Sequence, residues 1–352
     1  MKTYRQSMEE LHFTREEKNT MVDRLMTGEA REGGKIRSIR RTLTVGVAAA
    51  LLMTMGVGAA VTLTPAGEVF ASVFGGTPAQ TEILDQMGVP IGASDTADGV
   101  TITADAIIGD TYSYAIVYSI AREDGRPLWE GLEANELGLL PLTFDSADTD
   151  VGMMGGAHGT AYFYDADPTD NAVQYVEMMT ADTPIEPGTA TGTFRNLYLW
   201  GEDIQDKTLL AEGKWKIRFQ FAFPDSGVSL DAGQNFRLNG MEATLDGVTL
   251  SPLSIQVDYT VWEELVWDHQ DQADGRMSEH DREQSYRFFE SLPVTVNFTD
   301  GTALDLSGNG GGIQPEDGRT VCQKGCVFEE ILDLSTVESV TVGDLTLPVG
   351  GK

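Results

Sequence analysis

The sequence predicts a mainly β protein: two β-sandwich domains outside a membrane, one transmembrane helix and a short helical cytoplasmic tail. Three observations predict it. Residues 43–63 read LTVGVAAALLMTMGVGAAVTL, with no charged residue and no proline. Beyond residue 99, apolar residues recur at every second position, and Gly and Asp separate the runs. The charge divides at the apolar run: 1–41 holds ten Lys/Arg and seven Asp/Glu, whereas 64–352 holds fourteen and forty-eight.

In the tail, 1–41, Thr14 and Glu17 form a capping box, and Met21, Val22, Leu25 and Met26 make one apolar stripe before Gly28. A helix this short is marginal alone, so the stripe needs something to pack on: a membrane surface, a second copy or a partner protein. These four residues are the candidate partner-binding site.

The run within 42–64 reaches about 30 Å as a helix, enough to cross a hydrocarbon core. Lys35, Arg37, Arg40 and Arg41 precede it, and no Lys or Arg follows until Arg122. That asymmetry places the N-terminus in the cytoplasm and the C-terminus outside, as in a single-pass membrane protein. A cleaved signal peptide is the competing reading, with Val69-Phe70-Ala71 as its cleavage site, but the tail and the apolar run are both long for one. Gly46, Gly56 and Gly58 could let two spans pack as a homodimer.

Residues 65–95, punctuated by Pro65, Gly67, Gly75, Gly76 and Pro78, read as a juxtamembrane connector with a short helix at 82–87. The first sandwich is expected over 96–228. Its opening hairpin places Val100, Ile102, Ala104 and Ala106 before a Gly109-Asp110 turn, and Tyr112 to Ile120 alternate after it. Further strands are expected at 160–164, 172–178, 191–199 and 214–223. The second sandwich, 229–352, is expected to hold strands at 236–250, 253–262, 292–298, 302–306, 320–329 and 339–347. Asp246-Gly247-Val248-Thr249-Leu250 echoes Asp98-Gly99-Val100-Thr101-Ile102, hinting at two related modules.

A net charge of −31 excludes a nucleic-acid partner, which demands a basic face. The chain has no G-x-S-x-G, no H-E-x-x-H and no phosphate-binding glycine loop, so it reads as non-enzymatic and without cofactors. Cys322 and Cys326, in VCQKGCVF, are a disulfide candidate, with free thiols and a redox pair as alternatives. Asp165, Asp167 and Asp170 are weak calcium candidates, as are Asp145, Asp148 and Asp150; Asp is equally the common residue of β-turns. Trp262 and Trp267 could form a sugar-stacking platform or pack in a core or edge. His158 sits in a Gly-rich loop string.

The tail string LHFTREEKNTMVDRLM, the Arg-flanked apolar run, the VFG after it and DGVTITADAIIGDTYSYAIVYSI together resemble the bacterial family labelled DUF4179. The C-terminal STVESVTVGDLTLPV resembles the companion module labelled DUF5643. The resemblance covers most of the chain. It implies a membrane-anchored regulator or sensor similar to an anti-sigma factor, with outer immunoglobulin-like domains and a tail that binds an extracytoplasmic-function sigma factor. The zinc-type anti-sigma domain needs His and Cys ligands in the tail, where this sequence has only His12. The alternative is a cell-surface binding or adhesion module anchored by a signal-anchor helix.

Overall fold

The computed structural model describes residues 63–152, 155–201, 206–224, 226–268 and 277–350. Among them no helix is long and apolar enough to cross a membrane. That finding corrects the expected fold class, with its transmembrane helix and tail, and the expected single-pass membrane localisation. Of the segment on which both rested, 42–64, all but Leu63 and Thr64 lies outside the described residues. Leu63, half-buried, lies against Gly92 of the first strand. The described chain is mainly β, arranged in four antiparallel sheets.

The stretch read as a connector is folded. It carries α1 (Ala66–Phe74), α2 (Pro78–Met87) and most of β1 (Gly88–Ala97). Thr77 and Gln80 make a capping box that starts α2 with Pro78 in its first turn. β2 (Val100–Gly109), β3 (Ser113–Arg122), β4 (Leu142–Asp150), β5 (Ala157–Tyr164), β6 (Val173–Ala181), β7 (Gly188–Trp200) and β8 (Lys207–Phe221) follow. They form one sheet in the order β1-β2-β3-β6-β5 and a second in the order β4-β7-β8. This is the connectivity of an immunoglobulin sandwich, with β1 added outside its first strand. The alternating residues Ile102, Tyr118, Trp215, Ile217 and Phe219 fill the space between the sheets. Trp215 donates from its indole to the Val100 carbonyl at 2.9 Å.

The outer face of the first sheet is also buried. Ala106, Ile108, Ala115, Val117 and Val176 pack against Phe70, Phe74 and Leu84 of the two helices. The β2–β3 hairpin is therefore covered on both faces where the sequence pattern implied one.

The second half contains β9 (Val228–Leu230), β10 (Asn235–Leu238), β11 (Met241–Leu250), β12 (Ser254–Val261), α3 (Glu279–Ser285), a π-turn (Tyr286–Glu290), β13 (Val294–Phe298), β14 (Ala303–Asp305), β15 (Gly311–Glu316), β16 (Arg319–Val327), β17 (Val337–Val342) and β18 (Leu345–Pro348). One sheet runs β10-β11-β12-β16-β15, with β9 also on β11, and the other runs β14-β13-β17-β18.

The two halves repeat each other at register level. A shift of 141 positions carries Asp105 onto Asp246, and both are bulged residues, in β2 and in β11. Each accepts a hydroxyl bond from the residue fourteen positions on: Ser119 to Asp105 at 2.6 Å, Thr260 to Asp246 at 2.7 Å. The same shift carries the Asp98-Gly99 turn onto Asn239-Gly240, all four residues having positive φ, as two-residue hairpin turns require. It also carries the Val89–Ile107 pair onto Leu230–Val248. The Asp-Gly-Val-Thr echo is the wrong alignment: Asp98-Gly99 is a turn, whereas Asp246-Gly247 sits at a bulge inside β11.

The repeats meet through equivalent turns. Asp110, after β2, accepts from the Tyr112 and Ser113 amides at 2.9 and 2.8 Å and from the hydroxyls of Ser251 and Ser254, the latter at 2.6 Å. Ser251 occupies in the second repeat the place of Asp110 in the first. Around this bond His158 reaches the Gly325 carbonyl at 3.0 Å, and Leu253 and Ile331 join the helices' apolar cluster.

Candidate functional site

The first repeat is open along one side. β4 pairs only with β7 and β5 only with β6 among the described residues, so the two sheets part between these edges. The opening is a groove of about 440 Å³, within the range of small-ligand sites. Leu142 and Phe144 of β4, Ala161 and Phe163 of β5, Tyr175 of β6 and Trp200 at the end of β7 line it. Phe144 and Phe163 lie 5.3 Å apart, and Phe163 and Tyr175 4.9 Å apart, centroid to centroid. The mouth is held by Asn135, whose side-chain oxygen accepts from the amides of Leu137 and Leu139. Lys207 lies over the Trp200 ring at 4.8 Å.

Two residues beyond Tyr175 on β6, Glu177 is buried. Tyr114 donates to one carboxylate oxygen, and Thr149 donates to the other at 3.2 Å. Tyr118 shares the Thr149 hydroxyl at 2.8 Å. Burial raises the Glu177 carboxyl against the lowering effect of these bonds. The donors and acceptors of this set are turned on one another, which makes it a structural network.

In the second repeat the corresponding place is filled from within. Cross-strand pairing makes Gly311 the counterpart of Ala161 and Cys322 that of Tyr175. A Cβ on Gly311 would lie 2.9 Å from the Phe289 ring. The Phe288 carbonyl accepts from the Tyr259 hydroxyl at 3.0 Å and the Cys322 thiol at 3.8 Å. The π-turn thus inserts Phe288 and Phe289, both buried, where the first repeat leaves a groove.

The residues singled out in the sequence fall elsewhere. Met21, Val22, Leu25 and Met26 lie outside the described residues. Cys322 and Cys326 are free thiols on one continuous strand, β16, which corrects the disulfide reading. Four residues of strand span about 13 Å, beyond the roughly 7 Å that a bridge tolerates. Burial pushes both thiols up to about 12. Asp165 and Asp170 each accept a backbone amide two residues on, and Asp167 accepts both the amide and the hydroxyl of Thr169, as turn residues do. Asp145 holds Asn196 and Tyr198, and Asp150 holds Gly152. Among the described residues no group of three or more His, Cys, Asp or Glu is placed to hold a metal ion. Trp267 packs on the second core, whereas Trp262 is half exposed. The groove was missed because its walls come from four separate strands. The apolar string LGLLPLTF at 137–144 was its one local sign.

No protein-family model and no curated protein matches the chain. One solved structure, the crystal structure of the conserved domain protein from Bacillus anthracis, is 16% identical, with 72% of this chain and 76% of that chain covered and a TM-score of 0.45.

Proposed function

We propose that this protein is a non-enzymatic binding regulator. The groove of the first repeat receives an apolar, aromatic segment of a partner. The N-terminal residues Met21, Val22, Leu25 and Met26 bind a second partner of the sigma-factor class, as the resemblance to anti-sigma factors implies. The observation that supports the first part is the contrast between repeats: the second closes its corresponding place with Phe288 and Phe289, and the first leaves a groove there, floored by the buried rings of Phe144, Phe163 and Tyr175.

The test is affinity purification of the full chain with identification of what is retained, run for wild type, Leu25→Asp/Met26→Asp and Ala161→Trp. A sigma factor lost only from the N-terminal variant, and a second protein lost only from the groove-filling variant, are the expected results. An unchanged set in both variants refutes the proposal. Retention of only the groove partner makes the chain a binding module without an N-terminal partner.

A further inference from the structure

We propose that the second repeat carries a saccharide-binding site centred on Trp262, independent of the groove. Trp262 follows β12 and is 51% exposed. Its amide donates to the Glu242 carbonyl at 2.8 Å, and its indole nitrogen donates to the Thr244 hydroxyl at 2.9 Å. Thr244 lies two residues along the neighbouring strand, so the bond draws the indole across the sheet and leaves one ring face outward. A pyranose offers a matching face of C–H groups, which carry positive charge toward the negative π surface.

Polar groups of both kinds surround the ring. Arg237 on β10 and Glu242 on β11 are directly paired across strands and meet at 3.5 Å. Asn235 accepts from Thr244 through its side-chain oxygen at 2.9 Å, which turns its amide nitrogen outward as a donor. Asp344, in the β17–β18 turn, closes the far side of a cavity of about 440 Å³. Paired donors and acceptors beside an exposed ring suit adjacent hydroxyls. The net charge of −31 disfavours an anionic sugar.

The first repeat supplies the comparison. At the places of Arg237, Glu242 and Trp262 it has Thr96, Thr101 and Ala121, and there the two threonine hydroxyls simply bond each other at 2.8 Å. The equivalent hairpin of the first repeat thus forms without these three side chains.

The experiment titrates the full chain, by isothermal titration calorimetry, with glucose, galactose and N-acetylglucosamine tetramers up to millimolar concentration. The variants are Trp262→Ala and the triple Arg237→Thr/Glu242→Thr/Trp262→Ala, which installs the first repeat's residues; Trp129→Ala controls for another exposed indole. At least one sugar is expected to give a saturable binding heat with wild type and with Trp129→Ala. Affinity should fall by about tenfold or more in both Trp262 variants, with the melting temperature unchanged. Absence of a response to all three sugars, or equal binding by the triple variant, overturns the proposal. Ala161→Trp should bind sugar as wild type does, so failure of the groove reading leaves this result distinguishable.

Discussion

Glu177 and Lys324 occupy the same position in the two repeats, paired with Ile116 and with its counterpart Val257. Each repeat thus buries a charge at this place, of opposite sign, and satisfies it differently. Lys324 donates to the carbonyls of Phe289, Glu290 and Leu292 at 3.3, 3.5 and 3.1 Å, at the end of the π-turn, where the helix dipole favours a cation. Burial lowers the ammonium from 10.5 to about 8. Between those values the unfolded chain binds the extra proton, so stability rises with pH through that window. Lys324→Met is expected to remove that rise, which melting temperatures from pH 7 to 10 would show as a flattened profile against wild type. Lys324→Glu would set a carboxylate against three carbonyls and should cost about 3–5 kcal/mol, read from urea unfolding. The thiols of Cys322 and Cys326 should stay unmodified by a disulfide reagent in the native state and react, two per chain, once unfolded. Prompt native-state reaction would contradict their burial.

At the scale of elements, hairpin turns set the register of both repeats. Residues 236–250 were expected as one strand because apolar residues alternate on either side of Asn239-Gly240, although the phase changes there from Phe236 and Leu238 to Met241, Ala243 and Leu245. The dipeptide is nonetheless the strongest short hairpin signal, and it reverses the chain between β10 and β11. Gly343-Asp344 likewise divides 339–347 into β17 and β18. Gly240 has φ +83°, so Gly240→Ala should lower unfolding free energy by roughly 1–2 kcal/mol while the sheet's circular dichroism is retained. The short helix expected at 82–87 is the second half of α2; its start and all of α1 were hidden in a string rich in Gly and Pro. Yet Thr77 and Gln80 are a capping box as legible as the one at Thr14, and Ala66, Phe70 and Phe74 recur at helical spacing.

For the whole molecule, the junction at Asp110 decides whether the repeats act as one body. Its carboxylate takes four donors, two of them hydroxyls of the other repeat, and the helices extend the contact with Leu253 and Ile331. Asp110→Ala leaves those buried donors without an acceptor, at a cost of about 2–4 kcal/mol. The wild type is expected to unfold in one calorimetric transition and Asp110→Ala in two. A single transition in both would show that the apolar contact alone couples the repeats. Such coupling would allow occupancy of the first repeat's groove to be felt at the Trp262 face of the second.

The sequence by itself determined the β class, the hairpin of 100–122 and the inward face of β8, because side-chain alternation is a local property of an extended chain. It also held the repeat, although the Asp-Gly-Val-Thr string pointed to the wrong alignment; the bulged aspartates and their hydroxyl partners fix the right one. Only tertiary structure decided that Cys322 and Cys326 stand apart along one strand, that the aspartate clusters serve turns, and that 65–95 folds back over the sheet. It alone produced the groove, whose walls come from strands of two different sheets, and the cavity beside Trp262, which Asp344 closes from a turn distant in sequence. Side-chain pattern says which face a residue takes; which strands become neighbours depends on how two sheets and two helices close around shared cores.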